Sequence, residues 1–285
     1  MPSVCLYFQV HQPVRLRRYS VFDTGWDYFD EHRNREICRR VASRCYVPAS
    51  QLLLELIQKY SGKLHVAFSI TGCAIEQFQE YSPESLEWFK KLAATGCVEM
   101  LSESYYHSLA FLYSWDEFKS QVEAHRDMVQ GMFGQTPRVF RGTELVYSNE
   151  LGDFAAKMGY AAALAEGADQ ILQDRTPNVV YRAAGSDVKL LLKNYRLSDD
   201  IAFRFSNREW EQWPLTAEKF ARWVNQISGV GDVCNIFIDY ETFGEHQWAE
   251  TGIFDFLREL PERILEGKGN EFLTPTQVAE KYEAR

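Results

Sequence analysis

Carboxylates and imidazoles gather in this sequence at the ends of a few short apolar runs. One run ends in Gln9-Val10-His11-Gln12-Pro13, and another spans Glu99 to Ser102-Glu103-Ser104-Tyr105-Tyr106-His107. A third closes on Phe140-Arg141-Gly142-Thr143-Glu144. The last, Phe237-Ile238-Asp239-Tyr240-Glu241, leads through Gly244 to Glu245-His246-Gln247-Trp248. Asp239 and Glu241, two apart on a strand, would point to one side, and like charges that close raise the pKa of one of them. An acid–base catalyst needs such a group. Carboxylate chemistry with histidine support is the reading that remains, and glycoside hydrolysis is its commonest use.

Each residue also has a plainer reading. A lone His11 at a strand end is often a hydrogen-bonded structural histidine, and His125, on the apolar stripe of its helix, reads as structural. Arg141 could hold Glu144 in an ordinary salt bridge. Asp199-Asp200 reads first as a helix cap. Trp210, Trp213 and Trp223 suit the core; Trp248, beside the polar cluster, suits a ligand contact. No H-E-x-x-H, no histidine pair at metal-ligand spacing and no cysteine cluster occurs, so neither metal nor cofactor is expected. No G-x-S-x-G elbow, G-x-G-x-x-G or P-loop is present.

The elements that must position these groups alternate. Strand candidates are Val4–Val10, Leu64–Ile70, Val98–Glu103, Arg138–Glu144, Ala161–Glu166, Val188–Asn194 and Asn235–Phe243. A weaker one, Val179–Ala184, could pair with Val188–Asn194 through Gly185-Ser186. Helices are expected from Ser82-Pro83 to Gly96, over Asp116–Phe133, over Thr216–Ile227, and from Thr274-Pro275 onward. The last has a full start signal but no Gly or Asn stop after Tyr282. Strand–helix alternation predicts parallel strands with surrounding helices, an α/β barrel whose chemistry sits where strands end. No linker or repeat divides residues 1–285, so one catalytic domain is expected.

The 285 residues carry 40 acidic and 31 basic side chains, a net charge of −9. That balance argues against nucleic acid or an anionic membrane as partner. The one basic stretch, Arg33 to Arg44, has Ile37, Val41 and Ala42 at helical spacing and reads as a solvated helix face. Six scattered cysteines read as reduced, buried thiols, and the first residues lack the features of a secretory signal. A cytoplasmic protein is expected.

Four stretches together resemble glycoside hydrolase family 57, closest to its intracellular α-amylase branch. They are His11-Gln12-Pro13, Gly96–His107, Arg141–Glu144 with Ser148-Asn149-Glu150, and Asp239–Gly244. Cys45-Tyr46-Val47-Pro48-Ala49 and Lys193–Phe205 extend the resemblance over nearly the whole chain.

The resemblance implies an incomplete (β/α)7 TIM-like barrel and a retaining mechanism on α-1,4-glucans or maltooligosaccharides. Glu144 would be the nucleophile and Asp239 the general acid/base, their carboxyl groups about 5–6 Å apart across one pocket. His11, His107 and His246 would orient carboxylates or bind hydroxyls, and Gln12, Glu241, Trp248, Asp200 and Arg204 complete the expected substrate contacts. The alternatives are a 4-α-glucanotransferase or branching enzyme using the same site. From other classes come a metal-dependent polysaccharide deacetylase and a non-catalytic glucan-binding protein. The family usually continues into a C-terminal helical region, so a continuation or a partner subunit covering the site is also expected.

Overall fold

The computed structural model describes residues 2–285. Its strands are β1 (Ser3–Val10), β2 (Val66–Ile70), β3 (Val98–Met100), β4 (Val139–Arg141), β5 (Ala162–Ala165), β6 (Val180–Arg182), β7 (Lys189–Leu192), β8 (Val233–Asp239) and β9 (Glu271–Phe272). Parallel pairing runs β3-β2-β1-β8 in one sheet and β4-β5-β7 in the other, with β6 antiparallel to β7. A bridge between Ser102 and Phe140 joins β3 to β4. On the far side the Asn194 N–H donates to the Asn235 carbonyl at 2.8 Å, and Asn235 Nδ2 donates to the Leu192 carbonyl at 2.9 Å. Seven of the parallel strands, β1 to β5, β7 and β8, thus form an incomplete (β/α)7 barrel, with side chains replacing part of the ladder between β7 and β8 and the short β9 pairing parallel to β1 outside that order.

Alternation along the strands sorts the core into layers. On β1, Val4, Leu6, Phe8 and Val10 pack outward against the helices, while Cys5 and Tyr7 fill the barrel with Ala67, Leu101, Val139, Ala162, Leu164, Leu191, Val233 and Phe237. The same parity carries Gln9, Glu103, Arg141, Glu166, Lys193 and Asp239 to the inward side at the C-terminal strand ends.

Most elements lie where the sequence puts them, with shorter strands. Val98–Glu103 narrows to Val98–Met100 and Asn235–Phe243 becomes Val233–Asp239, because the chain turns into short 3₁₀ turns once the barrel rim is reached. Asp199 and Asp200 are not caps. The helix Tyr195–Ala202 starts at Asn194, whose side chain accepts from the Leu197 N–H, and both aspartates lie inside it. Glu99 is not at the rim either. It is four residues below Glu103 on the same inward face, about 13 Å down the strand. There its half-buried carboxylate accepts from the N–H and hydroxyl of Thr276 at 2.9 and 2.5 Å, anchoring the helix Pro275–Lys281. Val278 and Ala279 of that helix are buried against the barrel core. Its missing stop comes from Lys189, whose Nζ donates to the Ala279 and Tyr282 carbonyls at 2.5 and 2.7 Å. No helix among the described residues is long and apolar enough to cross a membrane, and the six cysteines are free and buried.

Candidate active site

Glu144 follows β4 in a tight turn. Gly142 makes the turn possible, since a Cβ there would lie 2.5 Å from the Val146 carbonyl. Glu144 itself has φ 55° and ψ 24°, and Leu145 also has a positive φ of 55°. Left-handed backbone at two consecutive non-glycine residues costs energy and persists only where the surroundings enforce it. The turn lifts the Glu144 carboxylate off the strand, leaving its side chain 70% exposed toward the cleft.

His107, at φ 56°, meets it from the loop after β3. Its Nε2 lies 2.8 Å from Glu144 Oε1 and its Nδ1 3.3 Å from Glu103 Oε2. Glu103 is fully buried and accepts from Gln9 Nε2 at 3.0 Å, and Arg141 approaches it to 3.7 Å. Burial pushes the Glu103 carboxyl up, but hydrogen bonding from His107 and the charge of Arg141 outweigh it and hold its pKa at about 2. For His107, burial works against the charged ring, yet hydrogen bonding to Glu103 prevails, with help from Glu144, and its pKa is raised. Glu144 is lowered, chiefly by the His107 hydrogen bond. Arg141 pairs with Glu103, not with Glu144 as the plainer reading allowed. His125 is structural: buried, with Nε2 on the Ile70 carbonyl at 2.8 Å and Nδ1 accepting from the Glu103 N–H.

Asp239 ends β8 directly opposite Gln9 in register. Glu241 follows in the turn Tyr240–Thr242 and is buried. Tyr46 donates to its Oε1 at 2.5 Å, and the His11 N–H adds a bond at 3.3 Å. Tyr46 reaches it because the helical chain widens into a π-turn over Ala42–Tyr46, a feature frequent at functional sites. Burial, with the charge of Asp239 second, pushes Glu241 up to about 8. His11 stacks on His107 with ring centroids 4.3 Å apart and places Nδ1 2.9 Å from Thr71 Oγ1. Burial and then the charge of His107 push His11 down to about 4.

Two adjoining clefts share Gln9, Glu144 and Asp239. One, of about 290 Å³, is also lined by His11, Gln12, Arg15, Arg40, His107, Glu241, Glu245 and His246. The other, about 180 Å³, is lined by Arg141, Glu166, Lys193, Asp199 and Phe203. A larger cavity of about 600 Å³ lies at the opposite barrel end, near His65 and Phe272, away from these groups.

The clefts therefore unite Glu144, Asp239, His11, Gln12, His107, Glu241 and His246. They leave out Trp248, Asp200 and Arg204. Trp248 stands 62% exposed and lines neither cleft. Asp200 turns instead to Arg204 at 2.7 Å, while Asp199, one residue earlier and 100° round the helix, faces the cleft and Lys193. Sequence reading passed over Gln9, Glu103, Glu166, Lys193 and Phe203. For the first four the signal is parity, since each is a polar residue at the last inward position of its strand; Phe203 follows the helix Tyr195–Ala202 and carries no such signal. Among the described residues no three His, Cys, Asp or Glu side chains converge as a metal ligand set.

The sequence profile of glycosyl hydrolase family 57 matches residues 5–285. A protein of Methanocaldococcus jannaschii named "Putative alpha-amylase" is 45% identical over 282 residues, which are 98% of this chain and 59% of that protein. The chain thus spans about three-fifths of the length of that relative. Among solved structures, a 4-alpha-glucanotransferase from Thermococcus litoralis superposes with a TM-score of 0.76 at 17% identity, over 100% of this chain and 41% of its own. A family 57 branching enzyme from Thermococcus kodakaraensis gives 0.70 at 13% identity, over 100% of this chain and 72% of its own.

Proposed function

Because the chain belongs to glycosyl hydrolase family 57, we propose that it is a retaining hydrolase of α-1,4-glucans, α-amylase-like, working through Glu144 and Asp239. One observation carries the reading: a carboxylate held ionised by a histidine, on a strained turn, shares a cleft with a second carboxyl group on a nearby strand end. Glu144 attacks the anomeric carbon while Asp239 protonates the leaving oxygen; Asp239 then takes a proton from water, which displaces Glu144 and restores the α configuration. Glu103 and Arg141 fix the His107 ring, so the Glu144 oxygen that does not accept from His107 is free to attack. Glu241, pushed up to about 8 by burial and then by the charge of Asp239, carries a proton beside the acid/base at neutral pH. Phe203, 72% exposed at the second cleft, offers a face for a sugar ring.

The test is to trap the glycosyl-enzyme. With a fluorinated α-glucosyl fluoride, mass spectrometry of the digested protein should find the label on the peptide holding Glu144, and Glu144→Gln should take up none. A label elsewhere, or none on the native protein, removes Glu144 from the nucleophile role.

A further inference from the structure

One wall of the first cleft is basic although the protein is acidic overall. Arg15 and Arg40 line the same cleft as Glu144 and Asp239, beside Ile37 and Val41. They come from two elements, the loop after β1 and the helix Glu31–Val41, so the cluster is tertiary rather than one helical face. The face carrying Ile37, Arg40 and Val41 turns toward the cleft, which departs from the solvated face the sequence suggested.

Of the four carboxylates lining the cleft, Glu144, Asp239 and Glu241 make no ion pair with these arginines. Glu245 alone among the described residues pairs with this group, through Arg40 at 2.9 Å and Arg44 at 3.6 Å. Arg15 has no carboxylate within salt-bridge distance; its Nη1 donates to the Pro13 carbonyl at 3.1 Å and its Nη2 to Gln12 Oε1 at 3.4 Å. Arg33 likewise has no side-chain ion pair among the described residues. Partial burial, then repulsion from Arg33 and Arg40, lowers the Arg15 pKa. A second anion at this wall would relieve that repulsion. A neutral glucan would leave it in place. Guanidinium groups also match phosphate by paired, charge-assisted hydrogen bonds in a way that hydroxyls do not.

We propose that the wall formed by Arg15 and Arg40 is a phosphate subsite, and that the cleft takes a maltooligosaccharide bearing a phosphate monoester in preference to the neutral sugar. The proposal rests on the glucan reading of the cleft. Arg33 and Arg44 add field behind the two contacting arginines, and Glu245 holds Arg40 in place while limiting the preference.

The experiment is calorimetric titration of the native protein and the Arg15→Gln/Arg40→Gln variant with four probes. These are maltose, maltose phosphorylated on its reducing-end ring, maltose phosphorylated on its non-reducing-end ring, and inorganic phosphate. Thermal melting establishes that the variant is folded, and separate Arg15→Lys and Arg40→Lys variants give a milder replacement. At least one phosphorylated maltose should bind about tenfold more tightly than maltose, and the double variant should bring that ratio close to one. The ratio should also shrink as salt is added. Equal affinity for maltose and both phosphorylated forms overturns the proposal, as does a preference that survives the double substitution. If maltose does not bind but inorganic phosphate binds the native protein and not the variant, the arginine subsite stands and the glucan reading falls. If no probe binds, both fall.

Discussion

His107 stands between two carboxylates, 2.8 Å from Glu144 and 3.3 Å from the buried Glu103. An imidazole with an acceptor at each nitrogen favours its charged form, and the charged form holds Glu144 ionised. His107→Asn should therefore lower kcat by roughly a hundredfold, the loss typical of one positioned donor. Because the His107 hydrogen bond is the main cause of the lowered Glu144 pKa, the acid limb of the rate profile should move to higher pH in the variant. An acid limb that stays in place would assign it to another group.

The alkaline side concerns Glu241. Its pKa of about 8 exceeds the ordinary 4.5, so the folded protein keeps a proton there that the unfolded chain has lost. The stability tied to this site is full below about 4.5 and is lost as pH rises toward 8. Glu241→Gln should flatten that decline in thermal melts across the same window. It should also displace the alkaline limb of kcat/KM from near 8. If the limb keeps its position in the variant, Glu241 does not set it.

Glu103 behaves in the opposite sense. Its carboxyl is held at about 2 against 4.5, so its contribution is present above 4.5 and is lost as pH falls toward 2. Glu103→Gln leaves Arg141 without its ion-pair partner among the described residues, and breaking a buried ion pair from one side typically costs about 3–5 kcal/mol. Denaturant titration at neutral pH should show that loss, and the difference between native protein and variant should narrow in acid. A constant difference down to about pH 2 would mean that the charge of Glu103 is not what stabilises the cluster.

Much of this site was legible because strands and their ends announce themselves. Val4–Phe8 is an unbroken apolar run with the first polar residue at Gln9, so the rim position of His11 followed from length and place. The same logic failed at Glu99, which shares the face of Glu103 but lies at the other end of the barrel. Parity gives the side of a strand, not the height. Asp200 read as a cap, but the helix starts at Asn194 and holds Asp200 inside it, where one residue changes which way a side chain faces. Tyr46 was inaccessible to any periodic reading, since a π-turn shifts the register of everything after it. The cap supplied by Lys189 to the last helix is a tertiary contact with no local trace.

The most direct test of the central claim follows the anomeric protons while the protein acts on maltoheptaose. Proton NMR of the first products, taken before mutarotation, should show the α anomer, and Glu144→Gln should abolish turnover while maltoheptaose still binds. Initial formation of the β anomer, or undiminished hydrolysis by Glu144→Gln, would contradict a retaining mechanism through Glu144 and Asp239.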